Sequence, residues 1–415
     1  MILNTKDSKD IDTLNLLYKK IFNYLVFKNK ELILDKDHAQ TKPVVENTTN
    51  LEKEVAAALE SVIPRAALSP FVSLNPTEKV TQLCELSNLV IGIRLFNKEI
   101  VKGGTSLTKV QDLIDHPARR LIRDIKAQAI ETVAQCDSYT IFFQNMSKLD
   151  VDIPEGKLEW YKAELTFLRQ YLSYLLSLQD DVEMSENTIE TNESRYYKEV
   201  SELKNLLGNK SSAPKELVYP KFASASQAYI HLIDEKKLSF MRVQLFEILE
   251  VCKRKVQLSL EERLVQMARE AQFHHPPQEL MVDPQQLDID PDSGITVLLP
   301  QTTPDFMQTP LDYLGFCVWS IVRKNGLLIP GKPNLGVYKH SEKHCVFSTK
   351  DAISEFLVDP EGFLAQILDQ CRRNPELIHL LRLNEEFEHA NLNFLLESKE
   401  KSLILSNKLM VDKDC

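Results

Sequence analysis

Apolar residues recur every three or four positions along most of the chain, which is the spacing of one face of an α-helix. This pattern predicts helices over residues 11–30, 51–62 and about 76–101, with helical structure again over about 107–146 and 223–273. The helix over 76–101 is apolar on more than one face, which is typical of a helix in the middle of a domain. The hydrophobic pattern therefore predicts a mainly α-helical protein.

A heptad pattern occupies the middle of the chain. Leucine and tyrosine alternate by three and four positions over residues 158–175, and the same spacing returns over residues 196–207. The polar stretch over residues 179–187 predicts a turn between them, so that the two segments form an antiparallel helical hairpin. Two forms of this hairpin stay open: two ordinary helices of one bundle, or an extended coiled-coil arm.

The C-terminal part of the chain changes character. Prolines are dense over residues 274–310, which predicts a linker with at most one strand, over 295–299. Short strands and glycine turns over residues 311–388, with a closing helix, predict a small α+β module with a short antiparallel sheet. The fold class is thus an elongated helical domain with the hairpin, plus this module. The other predicted segments are an N-terminal helix with a polar connector (1–50), the helical domain (51–273) and a polar tail (389–415).

The composition narrows the class of protein. The chain has 415 residues, of which 43% are hydrophobic, and this is enough for two or three domains. A total of 11 glycines argues against a nucleotide-binding α/β enzyme, and a formal net charge of −10 argues against a nucleic-acid partner. No stretch has the pattern of a signal peptide or a membrane span, so we expect a soluble protein without a membrane partner.

One glycine-rich loop has the spacing of a phosphate-binding loop. However, Pro333 stands where that motif needs Ser or Thr to bind magnesium. We therefore predict turns at Gly326, Gly331 and Gly336, with positive φ at Gly331 and Gly336. No catalytic residue, cofactor or small-molecule substrate is expected, although an enzyme without linear motifs stays open. The module core is predicted to contain three aromatic residues: Trp319, Phe347 and Phe356.

Two further clusters have residue types that could form a site. His340, His344, Cys345 and Cys317 are acceptable ligand types for zinc or copper, but His344 and Cys345 would point to opposite faces of a strand. We therefore predict no metal site and keep a degenerate metal- or thiol-sensing module as an alternative. A basic stripe at helical spacing is a candidate docking site for an acidic partner, with a solvated helix face as its alternative. The stripe consists of Arg119, Arg120, Arg123 and Lys126.

Two stretches of the chain resemble a known family. Residues 54–104 contain GIRLFN (92–97) followed by KGG (102–104). Residues 315–364, which are followed by a matching piece over 373–388, contain GLLIPGKPNLG (326–336) and FSTKDA (347–352). The order and separation of these pieces also fit, and the chain is identified as a member of the cilia- and flagella-associated protein 206 family. The stretch over residues 107–311 matches mainly in its helical character.

The resemblance implies an axonemal structural protein that helps dock radial spoke 2 and an inner-arm dynein to doublet microtubules, and that is needed for cilium movement. It implies the cytoplasm, the cytoskeleton and the ciliary axoneme as locations, with the basal body as a further one. It brings no catalytic or cofactor residues. Relative to the family, we expect the chain to lack an N-terminal segment and a long polar C-terminal tail. A soluble helical adaptor in ciliary trafficking stays open as the alternative function.

Overall fold

The computed structural model describes residues 11–32, 45–65, 68–115, 118–208, 213–274, 294–391 and 395–397. Most of these residues lie in helices, which confirms the mainly α-helical class. The helices are α1 (Ile11–Lys30), α2 (Val45–Val62), α3 (Ser69–Val72), α4 (Pro76–Glu99), α5 (Val110–Ile114), α6 (Ala118–Asn145), α7 (Glu155–Leu207), α8 (Lys215–Lys255), α9 (Glu262–His274), α10 (Val318–Arg323), α11 (Lys350–Val358), α12 (Pro360–Arg373) and α13 (Glu376–Leu380).

The chain divides into two compact units, each built from two stretches of sequence. Unit 1 comprises Met1–Ile125 and Leu178–Ile248, and unit 2 comprises Lys126–Ser177 and Leu249–Cys415. The domain boundaries predicted from the sequence stay a prediction. Much of the predicted linker, most of the polar connector and the end of the tail lie outside the described residues.

Unit 1 is a bundle of helices around several apolar clusters, of which two are the largest. In the first cluster, α1, α2 and α4 bury Leu25, Leu51 and Val90. Helix α4 begins where the sequence provides a capping box, because Asn75 Oδ1 accepts from the Glu78 amide at 2.9 Å and Glu78 Oε2 accepts from the Asn75 amide at 3.0 Å. The second cluster joins α4, α5, α7 and α8 through residues that include Leu95, Leu113, Tyr196 and Tyr229.

The predicted helical hairpin is wrong, because its two segments, residues 158–175 and 196–207, lie in one helix, and residues 179–187 form no turn. Helix α7 runs through these residues without a break. The antiparallel partner of α7 is α8, as its polar contacts show: Lys221 pairs with Glu199 at 3.4 Å, and Arg242 Nε donates to Asp181 Oδ2 at 2.6 Å. Partner numbers fall along α7 as they rise along α8, which is the signature of antiparallel helices.

The residues of the mistaken turn explain the error. The stretch is rich in Asp and Glu but has neither glycine nor proline to end a helix. The three-and-four spacing also continues through it, since Leu178, Val182, Ser185 and Ile189 are all buried. A serine stands at one of these core positions, and this substitution hides the heptad pattern from a reading of hydrophobicity.

Unit 2 combines a helical part with the α+β module. In the helical part, α6, the first turns of α7 and α9 bury Phe142, Tyr161 and Leu168. The carboxylate of Glu164, which is 3% exposed, links these pieces because it accepts three hydrogen bonds. Its donors are Tyr139 Oη at 2.6 Å, Trp160 Nε1 at 2.8 Å and the Ser259 amide at 2.9 Å.

The module contains a three-stranded antiparallel sheet, as predicted. The strands β1 (Thr296–Leu298), β2 (Val337–His340) and β3 (Lys343–Cys345) lie in the order β1-β2-β3. Helices α10 to α13 pack beside it, and α11 begins at Thr349, whose hydroxyl accepts from the Ala352 amide at 3.2 Å. Strand β1 comes from the segment predicted as a linker, so that segment contributes to the sheet.

Candidate functional site

The GIRLFN and KGG pieces meet at a buried ionic cluster in unit 1. Arg94 is 1% exposed, and its guanidinium donates to Glu54 at 2.9 and 3.1 Å, to Asn29 at 2.6 Å and to Ser106 at 2.7 Å. Glu54 also accepts from the Gly104 amide at 2.7 Å. Burial lowers the pKa of Arg94, and the Glu54 carboxylate opposes this shift. These five residues use one another as partners, so the cluster stabilises the fold instead of presenting a charged site.

Two glycines of the same pieces are required by close packing. A Cβ at Gly92 would lie 2.2 Å from the carbonyl oxygen of Phe222 on α8. Gly104 has φ +69°, and a Cβ there would lie 2.6 Å from the carbonyl oxygen of Arg94. Both positions exclude a side chain for steric reasons. The most specific pieces of the resemblance in this half of the chain are therefore architectural.

The glycine-rich loop of the module is also architectural. Its amides are already used: Gly326 donates to the Ile321 carbonyl at 2.7 Å, Gly331 to Gly315 at 2.8 Å and Lys332 to Phe347 at 2.8 Å. A phosphate-binding loop needs such amides free to point at the ligand. Pro333–Leu335 forms a short 3₁₀ turn and not the start of an α-helix. The amides of Gly326, Gly331 and Lys332 are therefore not available to a phosphate group.

The three loop glycines differ in what they do. Gly326 and Gly336 have φ +84° and +101°, a region that favours glycine. The expected positive φ at Gly331 is wrong. Gly331 is instead needed for space, since a Cβ there would lie 2.5 Å from Cγ2 of Val346.

The three aromatic residues predicted for the module core differ in depth. Phe347 and Phe356 are fully buried, with ring centroids 4.9 Å apart. Trp319 is partly buried at the edge of the same cluster, and its Nε1 donates to Glu355. Arg323 Nε also donates to Glu355, at 2.6 Å. Trp319 thus joins α10 to α11 through a polar contact at the edge of the core.

The His and Cys residues of the module do not converge on one point. The His344 amide donates to Asp312 at 2.7 Å, and the Cys317 thiol accepts from the Ser348 amide at 3.3 Å. Burial raises the pKa of Cys345 to about 12, so this thiol stays protonated at neutral pH. Neither ring nitrogen of His340 has a hydrogen-bond partner among the described residues. Across the same residues, no three metal-ligating side chains come together.

The basic stripe lies on α6. Arg120, Arg123 and Lys126 are exposed there, and Arg123 lies 4.0 Å from the Asp124 carboxylate. The side chain of Arg119 lies outside the described residues. Nothing in these positions tests the stripe as a docking site, and that role stays a prediction.

A groove of about 440 Å³ lies in unit 2, between α6, α7 and the end of α8. Lys253 forms part of its wall. Its Nζ donates to Gln128 and Glu131, both at 3.2 Å, and lies 5.3 Å from the ring centroid of Tyr171. Lys253 therefore has its partners within unit 2, while Arg254 and Lys255 are exposed.

The sequence did not point to a further surface, the outer face of α8. Leu238, Met241, Leu245 and Ile248 are exposed by 41%, 62%, 46% and 59%. Their spacing of three, four and three residues was available in the sequence as a signal. The prediction of helices over residues 223–273 did not assign faces to them, so it did not indicate this surface. The structure shows apolar residues on two faces of α8.

Comparisons with known proteins give a consistent result. The family model FAP206, described as a domain of unknown function, matches residues 114–388. The chain is 54% identical over 414 residues to cilia- and flagella-associated protein 206 from Tetrahymena thermophila, which covers 99% of this chain and 65% of that protein. It is 27% identical over 385 residues to the protein of the same name from Homo sapiens, which covers 91% of this chain and 59% of that protein.

The chain is thus shorter than these relatives and spans about 65% and 59% of their lengths. A relative from Danio rerio gives the same picture, with 28% identity over 357 residues and 56% of its length covered. No solved structure matches the chain. Among the described residues, none of the helices is apolar over a long enough stretch to span a bilayer.

Proposed function

The chain belongs to the cilia- and flagella-associated protein 206 family, and from this membership we propose that it is a structural docking component of the ciliary or flagellar axoneme. The family match over residues 114–388 is the observation that carries the proposal. It includes the module and the long helices α7 and α8. The proposed location is the cytoskeleton of the cilium, with the basal body as a further site.

In its finer form, the proposal is that the protein helps attach radial spoke 2 and an inner-arm dynein to doublet microtubules, and so supports cilium movement. Several modest contacts on one chain would provide stable attachment, because each contact that forms raises the effective concentration of the next. Exposed helical surfaces of the kind seen on α6 and α8 support this mode of binding.

The proposal includes no catalytic step. The glycine-rich loop and Cys317 take part in contacts of the fold: the amides of Gly326, Gly331 and Lys332 donate to neighbouring carbonyls, and Cys317 Sγ accepts from the Ser348 amide. Burial raises the pKa of Cys371, like that of Cys345, to about 12, which disfavours a thiol sensor in the module core. Elemental analysis of the purified full chain tests the metal-sensing alternative, since stoichiometric zinc, copper or iron would support it.

Fractionation of isolated cilia tests the docking function. Detergent removes the membrane and matrix, and the axonemes are then washed at moderate and high salt while the protein is followed by immunoblot. We expect retention after the high-salt wash and a missing spoke in tomograms of a null strain. Complete release by detergent alone would contradict docking and favour a soluble adaptor in ciliary trafficking.

A further inference from the structure

The outer face of α8 is apolar over an unusual length. Between Leu238 and Cys252, the exposed positions other than Gln244 and Glu247 are apolar. Surface leucines that occur singly need no explanation, but a continuous apolar strip on a soluble surface marks an interaction site. These residues cannot serve the core of unit 1, because the opposite face of α8 packs there through residues such as Ser239, Arg242 and Phe246.

The spacing of the strip indicates what kind of element covers it. Leu238, Met241, Leu245, Ile248 and Cys252 follow one another at intervals of three, four, three and four. This is the a/d pattern of a coiled-coil seam, in which each side chain inserts between four residues of a facing helix. A strand or a flat surface does not match this period. A facing amphipathic helix matches this spacing, because knobs-into-holes packing uses the same period on both helices.

The size of the strip argues against a stand-alone dimer. From Leu238 to Cys252 an α-helix rises by about 20 Å and is about 10 Å wide, so the footprint is roughly 200 Å². A stable interface buries about 800 Å² on each partner. A second copy of the chain paired only through this strip would be held too weakly. A helix of a protein that is also attached elsewhere needs no larger area.

The charges around the strip constrain the partner further. Lys237 lies at one end, where it pairs with Asp234 at 3.6 Å, and Arg254 and Lys255 lie exposed at the other end. Glu247 is the exposed carboxylate within the strip. Acidic residues that flank the partner's seam near Arg254 and Lys255 would complement this pattern.

We propose that the α8 seam, defined as Leu238, Met241, Leu245, Ile248 and Cys252, docks an amphipathic α-helix of a partner protein, with acidic residues near the end that meets Arg254 and Lys255. The inference rests on the proposed docking function, because it identifies one of the surfaces through which docking occurs. It adds the chemistry of the partner, which family membership does not give.

Cys252 provides a first test with the native chain. The rate of alkylation by N-ethylmaleimide is measured by mass spectrometry for the purified full chain and for the protein on salt-washed axonemes. We expect Cys252 to react at least about tenfold more slowly on axonemes, because the seam is covered there. Cys84, which is exposed on α4, is the internal control and should react equally in both states. Equal rates for Cys252 in both states would overturn the proposal.

A matched pair of substitutions provides a second test. Leu245 and Leu217 lie on the same helix with exposed fractions of 46% and 51%. Both Leu245→Glu and Leu217→Glu should leave the melting temperature of the full chain unchanged, since neither side chain is buried. Leu245→Glu should reduce retention on axonemes at high salt by about tenfold or more, whereas Leu217→Glu should bind like the wild type. Equal retention of the two variants would overturn the proposal.

The identity of the occupant is tested by photo-crosslinking. Gln244, which lies between seam residues, is replaced by p-benzoylphenylalanine in the full chain and the adducts formed in axonemes are mapped. The expected adduct is a heptad segment of another protein with acidic flanking residues. An adduct to a second copy, to another part of this chain or to an acidic tail without a heptad would contradict a partner helix. Release of the wild type by detergent alone would contradict the docking function itself. Failure of the docking function is therefore distinguished from failure of the α8 seam proposal.

Discussion

At the scale of single residues, the Arg94 cluster shows how a charged residue becomes part of a core. Arg94 is almost fully buried, and its guanidinium is surrounded by Glu54, Asn29 and Ser106. The planar guanidinium satisfies several acceptors at fixed angles, which a lysine ammonium cannot do. Removal of one partner from such a buried set leaves the remaining charge without compensation.

We therefore expect Arg94→Lys to reduce the free energy of unfolding by about 3 kcal/mol. Urea denaturation of the full chain, followed by circular dichroism, measures this loss. The control is Arg120→Lys on α6, where the side chain is exposed and the expected change is below about 0.5 kcal/mol. Equal midpoints for the two variants would show that the cluster contributes little to stability.

The buried thiols of the module predict a loss of stability at alkaline pH. Burial raises the pKa of both Cys345 and Cys371 from 9.0 to about 12 in the folded protein. Above pH 9 the unfolded thiols lose their protons first, so the unfolded state is favoured as the pH rises from 9 towards 12. Near pH 10 the two thiols together should lower the free energy of unfolding by about 3 kcal/mol.

Denaturation at several pH values between 8 and 10.5 measures this slope. Tyrosines and lysines also titrate in this range, so the informative quantity is the difference between the wild type and Cys371→Ser, which cannot ionise there. The variant should lose less stability per pH unit than the wild type. Identical slopes would mean that Cys371 is accessible to solvent in the folded state.

At the scale of elements, a proline substitution tests whether helix α7 continues through residues 179–187. Glu183 lies in the stretch predicted as a turn and is exposed on α7. Proline within an α-helix removes a hydrogen bond and clashes with the preceding turn. Glu183→Pro should therefore destabilise the protein by about 3 kcal/mol or more and reduce helical dichroism, whereas the control Glu183→Ala should be nearly neutral. If Glu183→Pro left the stability unchanged, this result would support the turn predicted from the sequence.

Local signals predicted most of the elements. The bounds of α1 match the 11–30 prediction, the Asn75-Pro76 start of α4 is a capping box, and β1 lies within the strand predicted over 295–299. Each of these depends on residues that are close in sequence. The wrong turn prediction within α7 has a long-range cause, because Ser185 is buried where it donates to Glu235, 50 positions away. No local pattern contains that contact.

The distinction between local and long-range contacts also holds for the glycine-rich loop and the Arg94 cluster. Positive φ at Gly326 and Gly336 follows from turn chemistry, whereas the role of Gly331 depends on Val346 from a different segment. The Arg94 cluster joins residues 40 and 65 positions apart, as the pairs with Glu54 and Asn29 show. Sequence patterns could indicate that these residues matter, but only the packed structure shows that they hold the fold.

At the scale of the whole molecule, we predict that the module and the helical part of unit 2 depend on each other. Leu327 and Ile329 of the module are each 3% exposed, because they pack in one cluster with Phe142 and Tyr161 of α6 and α7. Arg169 of α7 also lies 4.6 Å from the ring centroid of Phe316. These contacts cross the boundary predicted between residues 273 and 311.

Coexpression of residues 1–273 with residues 274–415 tests this dependence. The two fragments should copurify, and Leu327→Asp should weaken their association by about tenfold or more, since the loss of one buried leucine contact costs about 2 kcal/mol. The control is Val358→Asp, at a module position that is 84% exposed. Separate elution of two folded fragments would support the boundaries predicted from the sequence.

The ionic contacts between α7 and α8 have a consequence for how these two antiparallel helices pair. A heptad seam alone is ambiguous, because sliding one helix by seven residues brings apolar positions back into contact. Such a slip would place Tyr174 or Thr188 where Asp181 now receives Arg242. Arg242, which is 7% exposed, would then lose Asp181 and keep only the Glu235 carboxylate of its own helix, which destabilises the slipped register. The pair of Arg242 with Asp181, together with that of Lys221 with Glu199, thus favours one register of the two long helices over registers shifted by seven residues.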